Sequence, residues 1–323
     1  MKKILITGSL GLVGSAASSL FKEKGWDVVG IDANLRSHMF GTPEKEGALA
    51  VDIRDQVAIN QLFSEHSFDA IIHTAAQPSH TWANENVLDD FDINARGTLI
   101  LLEATRKYCP QATFVYVSSD IVYGENMKRE LTETPTRYHS DRPFDETLGL
   151  DFTSRSIFGC SKTAADLYVQ EYAHYFGLTT VCFRPGCITG KNHEGSEFHG
   201  FLAYLAKCIK EGKTYNIFGY KGKQVRDQIH ANDLAHAFYA YIQNPRKGEV
   251  YNIGGGPERS LSIWEAAKMI TEKTGKPFIY QEKEGRVSDR QWDVHDVSKF
   301  KSHYPEWDYT YSLEDIVKDV CEK

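Results

Sequence analysis

Gly8, Gly11 and Gly14 stand three residues apart directly behind the apolar, β-branched run Lys3–Thr7, and an acid, Asp32, closes the next such run. A turn without Cβ atoms lets backbone N–H groups approach a pyrophosphate, and the N-terminus of a following helix adds partial positive charge there. An acid about twenty residues past such a turn accepts hydrogen bonds from adenosine ribose hydroxyls and repels a 2′-phosphate, which favours NAD over NADP. Leu12 and Val13 lie between the glycines, and Asn34 and Arg36 follow the acid, with Arg36 tempering that preference. A second group is Ser118-Ser119-Asp120, two hydroxyls and a carboxyl behind another apolar run. A third is Phe158-Gly-Cys-Ser-Lys162, whose i, i+4 spacing places Phe158 and Lys162 on one helix face. Arg226 offers a planar guanidinium suited to bidentate phosphate contact, or alternatively a salt bridge with its neighbour Asp227.

These residues need a scaffold, and the sequence supplies one. Short strands are predicted at Lys3–Thr7, Asp27–Ile31, a third at Val51, then Ala70–His73, 114–117 and 180–184. Helical stretches separate them, one running through Lys24 and a long one from Asn94 to about Lys107. Such alternation is the pattern of a Rossmann-type, doubly wound parallel α/β sheet, which binds ligands at the C-terminal ends of its strands. Asp52-Ile53 ends the third strand, where a carboxylate can meet an adenine amino group. Thr74, Ala75 and Ala76 follow the fourth, and their small size leaves room for a dinucleotide. Asn94 is either a surface residue at a helix start or a cofactor contact.

Residues 1–180 are therefore expected to form the NAD-binding domain. Residues 181–323 are expected to form mainly a smaller C-terminal α/β substrate-binding lobe, with some segments returning to the first domain. The polar stretch 125–151 reads as a long surface excursion, and 201–209 as a helix. Ser262-x-x-Glu265 is a capping box, and Ser312-Leu-Glu-Asp315 opens a closing helix. His193, Glu194, Glu197 and His199 occupy the polar loop 191–199 without a recognised ligand spacing, so no metal is expected and the loop reads as substrate-facing.

With 41% hydrophobic and 25% charged residues, the 323-residue chain has an ordinary globular composition. A net charge of −7 offers no basic surplus for nucleic acid. No apolar run approaches the ~20 residues that span a bilayer. The first apolar run, ending at Gly8, is too short for a secretory signal. Six scattered cysteines without a C-x-x-C pair read as reduced thiols of a cytoplasmic protein.

Gly8-x-x-Gly11-x-x-Gly14, Asp32, Asp52-Ile53, His73-Thr-Ala-Ala76 and Asn94-x-x-Gly97-Thr98 together resemble the extended short-chain dehydrogenase/reductase superfamily and its NAD-dependent epimerase/dehydratase family. The resemblance runs across nearly the whole chain. It implies that Ser119 is the catalytic hydroxyl, hydrogen-bonding a sugar oxygen as hydride moves. Ser118 would be cofactor-contacting or structural, Arg184 would join the cofactor set, and Lys162 would hold the nicotinamide ribose. The superfamily's Tyr-x-x-x-Lys signature departs here, because Phe158 stands in the tyrosine's place. Three readings follow: a native phenylalanine with Asp120, Tyr123 or a water as acid–base group; an engineered change; or a protein that binds NAD without turning over sugar. Asp120 resembles the acid of the 4,6-dehydratase Thr-Asp-Glu triplet, but Ile121 replaces the glutamate, which disfavours dehydration.

Arg226-Asp-Gln-Ile-His230 resembles the segment in which sugar-nucleotide epimerases bind the substrate diphosphate, with Arg286 as a second phosphate ligand and Arg290 beside it. The stretches His73-Thr-Ala-Ala-Gln-Pro-Ser-His80, Ser156–Lys162, 199–202 and 219–227 are similar to CDP-paratose (CDP-tyvelose) 2-epimerases. That likeness implies transient oxidation at C2 of a CDP-hexose by tightly bound NAD, with Gln77 and His199 among the substrate contacts. It also implies a homodimer through the helices near 94–107 and 160–176. A 4-epimerase, dehydratase or reductase acting on another nucleotide sugar is the alternative on the same fold.

Overall fold

The computed structural model describes residues 1–35, 43–124, 130–150, 153–191, 193, 195–197, 200–285 and 289–322. In chain order, β1 (Lys3–Thr7), α1 (Leu12–Glu23) and β2 (Asp27–Ile31) precede α2 (Gln56–Glu65), β3 (Ala70–His73), α3 (His80–Glu85) and α4 (Val87–Phe91). A π-helical turn, Asp92–Arg96, leads into α5 (Gly97–Tyr108), then β4 (Thr113–Val117) and a 3-10 turn, Asp120–Tyr123. Next come β5 (Thr132–Glu133), β6 (Tyr138–His139), α6 (Ser156–Phe176), β7 (Thr179–Pro185), β8 (Cys187–Thr189) and α7 (Phe201–Glu211). These are followed by β9 (Tyr215–Phe218), β10 (Val225–His230), α8 (Ala231–Gln243), β11 (Glu249–Ile253) and β12 (Ser260–Ser262). The last described elements are α9 (Ile263–Thr274), β13 (Tyr280–Lys283), β14 (Trp292–Asp293), α10 (Ser298–His303) and α11 (Leu313–Glu322).

The chain divides into two compact units. The first comprises Met1–Val122, Ile157–Arg184 and Leu234–Tyr251. It is built on a six-stranded sheet in the order β11-β7-β4-β3-β1-β2, in which β7, β4, β3, β1 and β2 pair in parallel. Every residue of β3 and β4 is buried, as continuous apolar runs are when helices cover both faces of a parallel sheet. Leu5, Ile71, Phe114 and Cys182 from the strands pack with Ile59 and Phe63 of α2, Leu101 of α5 and Val169 of α6.

One predicted strand is corrected. The segment at Val51 is irregular, and among the described residues it joins β2 through a single parallel bridge between Ile31 and Leu49. Leu49 is half exposed, so this sheet edge lacks the two-sided cover that makes the inner strands regular.

The second unit comprises Tyr123–Ser156, Pro185–Asp233 and Asn252–Lys323. Here β10 is central, antiparallel to β12 and parallel to both β14 and β8, while β13 pairs with β9 in parallel. Its core joins Leu202, Leu205 and Ile209 of α7 to Ile263 and Ile270 of α9 and to Ile316, Val317 and Val320 of α11. The capping box forms as read: Ser262 Oγ accepts from Glu265 N at 3.1 Å, and Glu265 Oε2 accepts from Ser262 N at 2.9 Å. Ser312 and Asp315 make the same reciprocal pair before α11. Within 125–151, Arg137 bonds Glu265 at 3.2 Å and Ser260 Oγ at 2.7 Å, and Phe144 bridges His295.

Candidate active site

The glycine turn is held shut by its own packing. Gly8 has φ +66°, and a Cβ there would lie 2.7 Å from Ala75 N; one on Gly14 would lie 2.1 Å from Gly8 O. Both contacts are with backbone, which cannot give way, so these two positions require glycine. Gly11 caps α1 without a side-chain hydrogen bond, and no acid stands in the first turn. The leading N–H groups of α1 are thus left for an anion such as a pyrophosphate, with Leu12 and Val13 part-buried in that turn. Asp32, just past β2, accepts from Leu10 N at 3.1 Å and Asn34 N at 2.8 Å, which aims the carboxylate beside the turn. Arg36 lies outside the described residues. A donor-rich turn, a fixed carboxylate and small residues at the strand ends fit a dinucleotide. Asp52 is more heavily engaged: Arg54 reaches it through its backbone N–H at 2.8 Å and through Nη2 at 2.7 Å. Ile53 beside it is buried in the core.

At the end of β3 a buried chain of hydroxyls and imidazole ties the strands together. His73 Nδ1 lies 2.7 Å from Thr7 Oγ1, and its Nε2 lies 2.9 Å from Thr98 Oγ1. Thr74 Oγ1 donates to Thr7 O at 2.7 Å, and Ala75 N donates to Thr7 Oγ1 at 3.2 Å. Complete burial, assisted by the nearby Lys162 ammonium, pushes the His73 pKa down to about 3, so the ring is neutral. Ala75 and Ala76 remain part-exposed at the strand end.

Lys162 sits on α6 with 4% of its surface exposed. Its ammonium donates to Val117 O, the last carbonyl of β4, at 2.7 Å, and lies 4.4 Å from the Tyr116 ring centroid. Burial lowers its pKa to about 7, against the opposing pull of Asp166 and then of Cys182 and Asp90. Asp166, one helical turn beyond, is fully buried and receives Ser118 Oγ at 2.5 Å together with Arg184 through Nε at 3.0 Å and Nη2 at 2.6 Å. Ser118 and Arg184, predicted near the cofactor, are thus joined on one carboxylate. Ser119, two residues past the carbonyl that holds Lys162, stays part-buried and donates to Asp120 Oδ1 at 3.1 Å.

Phe158 takes the position one turn before Lys162. It is 8% exposed, packed with Ala83 and Ile121, and its ring lies 4.8 Å from the His80 ring at an interplanar angle of 58°. Beneath this contact is a polar network. Asn94, placed by the π-turn, accepts from Gln77 N at 2.9 Å and donates to Asp90 Oδ1 at 3.0 Å and Ser161 Oγ at 3.1 Å. Gln77 is fully buried; its Nε2 donates to Asp90 Oδ1 at 2.7 Å and Ser79 O at 3.0 Å, and its Oε1 accepts from Ser79 N. Burial raises the Asp90 pKa despite these donors. Tyr123, one of the acid–base candidates, is fully buried in the second unit with its hydroxyl donating to Asn252 Oδ1 at 2.8 Å.

In the second unit Arg226 pairs with Asp289 at 2.6 Å and lies 3.9 Å from Asp293, which Arg290 meets at 2.9 Å. The alternative pairing of Arg226 with Asp227 is not the one formed. Asp227 instead accepts from Gly256 N at 2.9 Å and His295 N at 3.0 Å. His199 and Arg286 lie outside the described residues.

Sequence reasoning assigned no role to Asp166, Asp90 or His80. The first two carry an available signal, being i+4 from Lys162 and i−4 from Asn94 on helical stretches. His80 follows a strand end in a parallel sheet and closes the stretch His73–His80 that resembles the 2-epimerases, but neither cue assigns it a role.

A glycine-cradled turn, a helix-borne lysine whose ammonium meets the end of β4, and a parallel sheet define the NAD-binding Rossmann class. The chain belongs to the NAD dependent epimerase/dehydratase family, whose model matches residues 4–254. It is 33% identical to the CDP-paratose 2-epimerase of Salmonella typhi over 98% of both chains. It is 28% identical to a dTDP-glucose 4,6-dehydratase of Escherichia coli strain K12 over 89% of this chain and 82% of that one. Among solved structures, the Thermotoga maritima UDP-glucose 4-epimerase with UDP-glucose superposes with a TM-score of 0.82 at 28% identity, covering 99% of this chain and 97% of that one. The Bifidobacterium longum UDP-glucose 4-epimerase in complex with NAD+ and UDP gives 0.78 at 25% identity, covering 99% and 97%.

Proposed function

We propose that the protein is a nucleotide-sugar epimerase that inverts C2 of a CDP-linked hexose through a transient ketone. The observation that carries the reading is the Lys162 ammonium fixed on Val117 O with the Ser119 hydroxyl two residues further along the same strand end. Such a pair can hold a ribose and a reacting sugar oxygen side by side. End-to-end likeness to the Salmonella CDP-paratose 2-epimerase supports the choice of CDP-sugar and of C2. Bound NAD supplies the hydride acceptor and donor. Gly8, Gly11 and Gly14 with the start of α1 take its pyrophosphate, Asp32 the adenosine ribose, and Thr74 to Ala76 the space along the strand ends. Ser119 orients the sugar hydroxyl, and Gln77 acts by holding its loop. Arg226 and Arg286 take the substrate diphosphate, Arg226 exchanging its Asp289 pairing for phosphate, while His199 contributes from the loop 191–199.

Cytoplasmic location and a homodimer complete the reading. No disulfide joins the described cysteines, and no described helix is long and apolar enough to cross a membrane. Leu167, Tyr168 and Tyr175 are exposed apolar residues along α6. Phe158 favours one second reading, a catalytically silent NAD-binding protein. Proton NMR of CDP-tyvelose and CDP-paratose with the unmodified protein and with Phe158→Tyr separates the two. Interconversion by either protein is expected, and conversion by neither overturns the epimerase reading.

A further inference from the structure

An epimerase that oxidises a sugar alcohol needs a group to take the hydroxyl proton and return it. Position 158 has no oxygen, and the side chains of Tyr123, Lys162 and Asp120 each take part in a defined hydrogen bond. Tyr123 gives its hydroxyl to Asn252 inside the second unit, Lys162 donates to Val117 O, and Asp120 receives the Ser119 hydroxyl. One imidazole lies directly against the Phe158 ring: His80, centroid to centroid 4.8 Å, part-exposed to solvent.

Its placement is built in from below. Asp90, fully buried, accepts from both Gln77 and Asn94, and Asn94 reaches back to Gln77 N. Gln77 in turn binds both the N–H and the C=O of Ser79 through its own amide. Ser79 Oγ then accepts from Trp82 N at 3.2 Å and so starts α3 with His80 as its first residue. A buried carboxylate and two buried amides therefore fix the backbone on either side of the turn that presents this imidazole to the Phe158 ring. Simple aromatic packing does not require such a support.

We propose that His80 is the acid–base group of this site, taking the proton of the reacting sugar hydroxyl in place of the phenol that position 158 lacks. The proposal rests on the epimerase reading and names its proton acceptor. As the C–H bond breaks and its electron pair leaves as hydride to NAD+, the O–H bond breaks, the proton goes to an imidazole nitrogen and the carbonyl forms. When hydride returns to the opposite face of that carbon, the imidazolium gives the proton back to the same oxygen, and the net redox change is zero. An imidazole suits both directions because its charged and neutral forms lie close in energy near neutral pH.

The test uses the unmodified protein, His80→Phe, His80→Ala, Phe158→Tyr and the double variant His80→Phe/Phe158→Tyr with CDP-tyvelose. His80→Phe keeps a ring against Phe158 but carries no proton, and is expected to slow conversion about 10²–10⁴-fold with an unchanged thermal midpoint. Added imidazole is expected to restore part of the His80→Ala rate, and the double variant is expected to recover turnover through its phenol. Independently of turnover, the imidazole carbon-bound proton signal that vanishes in His80→Phe is expected to shift when CDP-tyvelose is added to the unmodified protein. Full-rate conversion by His80→Phe, no rescue by imidazole, or an unmoved His80 signal would each overturn the proposal. Conversion by Phe158→Tyr but not by the unmodified protein overturns it while leaving the epimerase reading intact; conversion by neither overturns both.

Discussion

Lys162, proposed to hold the nicotinamide ribose, also bears on folding. Its ammonium is buried on Val117 O, and burial brings its pKa to about 7. An unfolded lysine keeps its proton up to about pH 10.4. Between these values the unfolded chain binds more protons than the folded one, so this residue's contribution to stability rises with pH, and its burial cost is greatest below about 7. Lys162→Met keeps a long apolar stem and removes the charge. We expect the thermal midpoint of the unmodified protein to gain on that of Lys162→Met as pH rises from 7 to 9. Turnover of the variant should fall by about a hundredfold or more, read as initial rate by NMR. A midpoint difference independent of pH would place the ammonium in a solvated setting.

At the scale of elements, caps and strand runs are local and were legible; partners across the fold were not. The bounds of β3 are legible because three buried apolar residues and His73 stand directly before the small residues Thr74, Ala75 and Ala76. The strand expected at Val51 failed because edge pairing depends on cover from outside the segment, which a local pattern does not carry. The helix read from Asn94 begins earlier and passes through a π-turn, which leaves the apolar periodicity almost unchanged while rotating Asn94 onto Gln77 and Ser161. The capping box at Ser262 is a fully local device. Ser262→Ala is expected to cost about 1 kcal/mol by denaturant unfolding. A loss near zero would mean that the packing of α9 alone sets its start.

At the scale of the whole molecule, the glycine cradle and Lys162 were visible in sequence because the motif fixes their spacing. His80 beside Phe158 and Asp289 beside Arg226 were not, since each pair joins distant segments through tertiary packing. The proposed homodimer belongs to this scale as well. Exposed Leu167, Tyr168 and Tyr175 along α6 give it an apolar face. Light scattering is expected to give twice the chain mass, and Leu167→Glu to give the single-chain mass by burying an unpaired carboxylate in that face. A single-chain mass for the unmodified protein would remove the dimer.

In the proposed epimerisation, transfer of one hydride both oxidises and reduces the same sugar carbon. Turnover of CDP-tyvelose in D2O, followed by NMR at C2 of the product, separates a carried hydride from exchange with solvent. Hydride held on a nicotinamide does not exchange with water, so the CDP-paratose formed is expected to carry protium at C2. Deuterium at that carbon would rule out hydride carriage and point to proton removal and return through solvent.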